Sequence, residues 1–260
     1  LAILVALTLL PLPVLAAGQQ TARNDDGVVV LIYHHFADQE NATIVSPWRF
    51  EQQMKWLKDH GYHTIGIADL VAYLDGKKDL PKKSVLITMD DGYLSNYQFA
   101  YPVLQRYGLK AVIFPIGRWG DEPGPFLPHF TWDQAREMAQ AGVVEFGGHT
   151  YDLHYYPEGS QLPALEVVEA DEALLDLMRS RLRIIDEVGG RAEAFAYPYG
   201  WNSERTRELV KQAGFKVAFT VEPGRVYRGM DPYQLPRVNV PGGISLTSFA
   251  RLLETTSTPR

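Results

Sequence analysis

The chain contains no cysteine. Disulfide bonds and thiolate metal ligands are therefore excluded, and any transition ion would have to be held by histidine, aspartate or glutamate. It also lacks a basic block: 25 Lys and Arg stand against 31 Asp and Glu, a formal net charge of −6. Neutralising a nucleic-acid backbone needs clustered cations, so no nucleic-acid partner is expected. No internal repeat or low-complexity tract stands out, and no histidine follows His154. What is present is a chain of 260 residues, 46% hydrophobic, which is enough for one large core.

The first residues form an apolar run broken only by Thr8, Pro11 and Pro13 and closing in Leu15-Ala16-Ala17-Gly18. Such a run reads as the apolar region and small-residue end of a secretion signal, with an uncleaved membrane anchor as the alternative. Residues 1–18 are assigned to this segment, 19–27 to a polar linker and 28–260 to one catalytic domain. The protein is therefore expected to be secreted or to sit at the cell surface, outside the cytoplasm.

From residue 28 onward, apolar β-branched runs alternate with helical patterns, each closed by turn residues, which is the signature of a parallel α/β sheet. Strands are expected at 28–33, 64–67, 85–90, 111–116, 143–146, 194–196 and 216–220. Helices fall between them, opened by Ser46-Pro47 and by Thr131 and stopped by Gly61 and Gly108. The longest helical pattern covers 165–188, with Leu174, Leu177, Leu182 and Ile185 facing the core. Seven strands alternating with helices predict a single-domain α/β fold, a distorted or incomplete (β/α)7-type barrel. Ligand groups in such sheets gather beyond the C-terminal strand ends, where His34, Asp90, Asp91, His149 and residues 197–199 would meet.

Two stretches carry the chemistry. Val85-Leu-Ile-Thr-Met-Asp-Asp-Gly-Tyr93 reads as a buried strand ending in adjacent carboxylates. Strand neighbours point to opposite faces, so Asp90 and Asp91 share a pocket only if the chain leaves strand geometry there, a turn that Gly92 permits. Two close carboxylates ask for a cation or a base beside them; taken alone, the same residues fit an Asp-Asp-Gly surface turn. The second stretch, His149-Thr-Tyr-Asp-Leu-His154, follows Gly147-Gly148, read as a flexible lead-in. Histidines five apart share no face of a regular helix or strand and converge only in a bent loop. Two imidazoles and one carboxylate leave coordination positions open, which suits a catalytic zinc-like ion better than a structural one.

Thr88-Met89-Asp90-Asp91-Gly92, His149-Thr150 with a later histidine, and Phe195-Ala196-Tyr197-Pro198-Tyr199-Gly200 occur in this order. On these motifs the chain resembles the NodB-type polysaccharide deacetylases, over most of its length from Val28. Ile32-Tyr33-His34-His35, the Ser46-Pro47 helix start with Phe50, the five-residue histidine spacing and the Ala-Tyr-Pro-Tyr-Gly motif are similar to one branch, the poly-β-1,6-N-acetylglucosamine deacetylases of bacterial biofilm matrix. The resemblance implies Asp90 as general base and Asp91, His149 and His154 as ligands of one divalent ion, zinc first, with cobalt, nickel and iron as alternatives. It further implies the backbone N–H of Tyr199 as oxyanion donor and a substrate groove lined by Tyr197, Pro198, Tyr199 and Trp201. Many relatives space the histidines four apart; that place is Leu153 here, which cannot coordinate, and Asp152 is a lesser candidate beside His154.

Two features of the wider family are missing. The arginine that opens the third motif and orients the catalytic aspartate is replaced by Ala196, and the late Leu-X-His motif has no counterpart. His34 is then the candidate general acid, and Arg237 a candidate for the lost cation. The expectation is a polysaccharide deacetylase domain over 28–260, a monomer that removes N-acetyl groups from poly-β-1,6-N-acetyl-D-glucosamine, with membrane or cell-surface association if the first segment is retained. The competing readings are a deacetylase or esterase of peptidoglycan, chitin or xylan, and a non-catalytic polysaccharide-binding module. Residues 117–130 read as a lid, a membrane-contacting flap or a plain surface loop.

Overall fold

Seven parallel strands surround one interior: β1 (Val28–Tyr33), β2 (Ser84–Asp91), β3 (Ala111–Pro115), β4 (Val144–Phe146), β5 (Ala194–Ala196), β6 (Val217–Phe219) and β7 (Val238–Asn239). The computed structural model describes residues 26–255 except Pro123 and Pro125, so residues 1–18 and most of the 19–27 linker lie outside the described residues. Parallel ladders join β7 to β1, β1 to β2, β2 to β3, β3 to β4, and β5 to β6. Two joins are thinner: Gly148 bridges Phe195 between β4 and β5, and Phe219 bridges Leu235 between β6 and β7. The ring is the expected (β/α)7 barrel, distorted where a single residue pair links neighbours. One expected strand is misplaced: His63–Thr64 only flanks the start of β2, and Ile67 already begins a helix. The seventh position belongs to β7, which Pro236 and Pro241 disguised as a loop by bracketing it.

Alternation sorts the strand residues into two layers. Val28, Val30, Leu86, Val112, Phe114 and Phe219 belong to the cluster filling the barrel interior. Val29, Leu31, Val85, Ile87 and Ile113 instead join the cluster beneath the helices on one side. Both faces are covered, which is why β1 and β2 read as continuous apolar runs. The helices are α1 (Pro47–Asp59), α2 (Ile67–Leu74), α3 (Tyr101–Tyr107), α4 (Trp132–Gln140), α5 (Ala170–Val188), α6 (Glu204–Gln212) and α7 (Leu246–Thr255). Ser46, Thr131 and Ser203 cap α1, α4 and α6 as acceptors for the N–H groups of Arg49, Gln134 and Thr206. Each such cap contributes about 1 kcal/mol. Among the described residues no helix is long and apolar enough to cross a membrane.

The expected helix over 165–188 is broken. Ala164–Val167 makes one turn, Val168 and Glu169 are extended, and α5 starts at Ala170. Arg205 donates to the carbonyls of Leu165, Glu166 and Val168, satisfying acceptors that the break would otherwise leave open. Of the expected core residues of α5, Leu177 is buried and Leu174 and Ile185 pack partly buried against the core, but Leu182 is 49% exposed; Ala173, Ser180 and Ile184 take the other buried places.

Gly147 and Gly148 do not act as a hinge. A Cβ on Gly147 would stand 2.5 Å from the Phe114 ring and 2.6 Å from the Ala194 carbonyl oxygen, and one on Gly148 would stand 2.7 Å from Phe215. Their missing side chains let β4 approach β5, where the Gly148 N–H donates to the Ala194 carbonyl and the Ala196 N–H to the Gly148 carbonyl, both at 2.9 Å. Overpacking this thin join should be felt by the whole ring. Gly147→Ala is expected to lower the unfolding free energy by about 1–3 kcal/mol in urea denaturation; wild-type stability in that variant would contradict the close-approach reading.

Candidate active site

Leu86, Thr88 and Asp90 alternate along β2, and Asp90 ends the series at the top of the barrel interior, 2% exposed. Asp91 would face the opposite way if the strand continued. Instead its φ is 71°, and the Gly92 N–H donates to the Asp90 carbonyl at 2.9 Å, closing a three-residue turn centred on Asp91. Such a φ costs a non-glycine residue about 1–3 kcal/mol. The turn thus falls on Asp91 itself and not on Gly92 alone. Gly92, with φ of 80°, continues the bend where a Cβ would lie 2.8 Å from that of Pro115.

Arg237, which immediately precedes β7, answers the buried charge of Asp90. It is 0% exposed, and its guanidinium grips both Asp90 oxygens at 2.7 Å. Nε donates to the Thr220 carbonyl at 2.8 Å, Nη1 also reaches the Thr88 hydroxyl at 3.3 Å, and the rings of Phe114 and Phe219 flank the group. Burial pushes the Asp90 carboxyl up, but the Arg237 charge, then that of His149, outweighs it and holds the carboxyl below its usual range. The buried cation beside Asp90 thus comes from the segment just before β7, two strands along from Ala196 at the end of β5.

Asp91, His149 and His154 converge beside this pair. One ligand atom from each lies within 4.8 Å of the others, with Nε2 of His149 3.4 Å and Nε2 of His154 3.5 Å from an Asp91 oxygen. The Nδ1 of His149 donates to the Ala196 carbonyl oxygen at 2.7 Å, so Nε2 is the ring nitrogen turned inward toward Asp91. Burial, then the neighbouring His149, pushes His154 down to about 4, leaving a neutral imidazole at neutral pH. The contact between His154 and Asp91 is therefore not an ion pair. Burial opposes a proton on His149, but its hydrogen bond to Asp91 and the charges of both aspartates raise it above the usual value. Asp91 is lowered despite burial, chiefly by its hydrogen bond from His149. One ionised carboxylate and two imidazoles aimed at a common point are a donor set that fits a divalent ion such as zinc. Leu153 packs into the core and Asp152 pairs with Arg118 at 2.7 Å, so neither joins the set.

These groups open into a cleft of about 870 Å³, a size suited to a small ligand or one unit of a larger one. His34 lines it, and its charge would bear on both Asp90 and Asp91. The His34 carbonyl is held by the Asn96 amide at 2.7 Å, which fixes the backbone leaving β1. Tyr199 sits at φ 56° with its ring 4.6 Å from that of His154 and a further ring, Tyr156, 4.5 Å beyond. Tyr197 is fully buried, and its hydroxyl donates to the Tyr233 carbonyl, so its polar tip is not offered to a ligand. Pro198 is buried, and Trp201 is 45% exposed; neither lines the cleft. Sequence reasoning passed over Tyr93 and His129, which line the cleft together with Trp119. A bridge between Tyr93 and His129 brings them together, and no spacing in the sequence announces it.

The chain is similar to known proteins. The family model described as polysaccharide deacetylase matches residues 77–218. Bacillus subtilis YxkH, whose name assigns it only to the polysaccharide deacetylases, is 35% identical over 86% of this chain and 75% of its own length. The poly-beta-1,6-N-acetyl-D-glucosamine N-deacetylase of Staphylococcus aureus is 32% identical over 75% of this chain and 67% of its own length, while the chain spans only 39% of the Escherichia coli enzyme of the same name. The solved structure of IcaB from Ammonifex degensii superposes with a TM-score of 0.80 at 30% identity, over 89% of this chain and 97% of that one. The chain belongs to the polysaccharide deacetylase family, a family of hydrolytic enzymes.

The buried ion pair generates a sharp expectation. A carboxylate whose folded pKa is depressed contributes stability above its unfolded value of about 4, lost as pH falls through the depressed one. Arg237→Met strands Asp90 in the barrel, so it should cost about 3–5 kcal/mol in urea denaturation at pH 7. The deficit should shrink as pH approaches 4 and the variant's Asp90 takes a proton. A loss under about 1 kcal/mol, or one independent of pH, would contradict the assignment.

Proposed function

We propose that this chain is a metal-dependent N-deacetylase acting on poly-β-1,6-N-acetyl-D-glucosamine outside the cytoplasm, as a monomer. The observation that carries the reading is the convergence of Asp91, His149 and His154 beside the arginine-held Asp90. The names of the Staphylococcus aureus and Escherichia coli relatives support the choice of polymer, as does His34, which follows β1 and lines the same cleft. Asp91, His149 and His154 hold one divalent ion, zinc before cobalt, nickel or iron. When bound, such an ion supplies Lewis acidity, polarising an amide carbonyl and making water more acidic, worth several kcal/mol.

The chain's own groups do the rest. Asp90, kept ionised by Arg237, retains a free lone pair on each oxygen and accepts the proton of the attacking water. The new C–O bond places negative charge on the former carbonyl oxygen, which the backbone N–H of Tyr199 stabilises. As the C–N bond breaks, His34 gives a proton to the departing amine, releasing acetate and a free amino sugar. Tyr199 and Tyr156 offer ring faces to the apolar sides of neighbouring sugars.

Three measurements test this. Acetate release from poly-N-acetylglucosamine should exceed that from chitin oligosaccharide, peptidoglycan and acetylated xylan, and should stop on chelation and return with zinc. Release from another polymer alone would overturn the substrate, and indifference to chelation would overturn the metal; glycan retention without any acetate would leave a binding module. Asp90→Asn is expected to keep metal stoichiometry while losing about 10²–10⁴-fold in turnover; undiminished turnover would remove it as base. His154→Ala should weaken metal binding, and an unaltered metal affinity would remove it as ligand.

A further inference from the structure

Asp91 is fixed at a strand end, whereas His154 is the last residue of a loop that must return to His149 across four intervening residues. Thr150 makes the first bend with φ of 69°. The carbonyls of Thr150 and Tyr151 then accept the N–H groups of Gly117 and Arg118, each at 3.0 Å. This ties one edge of the loop to the segment after β3. Among the described residues no strand accepts the N–H groups of Tyr151 and Asp152. Asp176 of α5 does: Oδ1 accepts from Tyr151 and Oδ2 from Asp152, both at 2.8 Å. A second hold comes from the same helix about one turn on, where Arg179 lays its guanidinium 3.6 Å from the centre of the Tyr151 ring and donates to its hydroxyl at 3.0 Å. Leu153 anchors the end of the loop in the core beside Leu177 of that helix.

We infer that Asp176 is a positioning residue for the metal site: its carboxylate gathers the successive N–H groups of Tyr151 and Asp152 and thereby sets the place of His154. This rests on the reading of His154 as a ligand. Two successive amides, each bonded to its own oxygen of one carboxylate, fix the direction of the chain that follows them, as a capping carboxylate fixes the first turn of a helix. Asp176 touches no reacting atom and acts only through His154. An amide at position 176 would keep one acceptor oxygen and turn an NH2 group toward a backbone N–H, freeing the loop without removing volume.

The test is titration of the metal-free protein with cobalt(II), read by its visible absorption, for wild type, Asp176→Asn, His154→Ala and the double variant. Outer residues that orient ligands typically change metal affinity about 10–100-fold. Asp176→Asn is expected to bind cobalt more weakly by that factor, with an altered absorption spectrum and a metal-free melting temperature near that of wild type. The double variant should bind no more weakly than His154→Ala, because Asp176 works through the histidine already removed. Affinity unchanged in Asp176→Asn, or losses that multiply in the double variant, would overturn the inference. Should Asp176→Asn not fold, Asp176→Glu decides: it keeps the charge and both acceptors but moves them by one methylene, so weakened binding supports the inference and unchanged binding overturns it. A wild type that binds no cobalt would instead overturn the metal-site reading, and the inference with it.

Discussion

An ionised carboxylate inside an apolar barrel is the constraint around which this molecule is arranged. Asp90 occupies a place where neighbours on other strands are Phe114 and Phe219, and an isolated charge there would cost several kcal/mol. Arg237 resolves the problem with a two-point grip, and it is itself held from behind by the Thr220 carbonyl. Because Arg237 directly precedes β7, the chain that closes the barrel is also the chain that makes its reactive carboxylate tolerable. Closure of the fold and poise of the site are thus one event.

A second constraint is directional. A parallel strand sends only every other side chain to the interior, yet the site needs adjacent groups from single strand ends. The chain meets this with non-glycine residues at positive φ: Asp91 as the last residue of β2, and Thr150 and Tyr199 shortly after β4 and β5. Each bend costs about 1–3 kcal/mol, and each redirects the backbone beside a group that lines the cleft or faces Asp91. The strain is stored where the surrounding ladders and the packing of Gly92, Gly147 and Gly148 leave the chain little alternative.

Much of this was legible in the sequence because period and punctuation are local signals. Continuous apolar runs marked β1 to β3, and Ser46-Pro47 and Thr131 marked helix starts that the structure keeps. A carboxylate and two imidazoles meeting at one point could be proposed because a carboxylate pair and a five-residue histidine spacing fit no regular element; the choice of Asp91 over Asp90 as ligand came from the family resemblance. What escaped was non-local. The break before α5 depends on Arg205 reaching across from α6, and β7 reads as a loop until it is seen beside β1. Gly147 and Gly148 suggested freedom, whereas the structure uses them for close approach. Tyr93 and His129 reach one wall only through a bridge between distant segments, so neither residue alone carried a signal.

The account turns on three side chains sharing one ion. X-ray absorption at the zinc edge of the zinc-loaded protein measures that sharing directly. The prediction is a shell of two imidazole nitrogens and at least one carboxylate oxygen at about 2.0–2.2 Å. A shell containing fewer than two imidazoles would contradict the convergence of His149 and His154 with Asp91, and with it the chemistry assigned to the cleft.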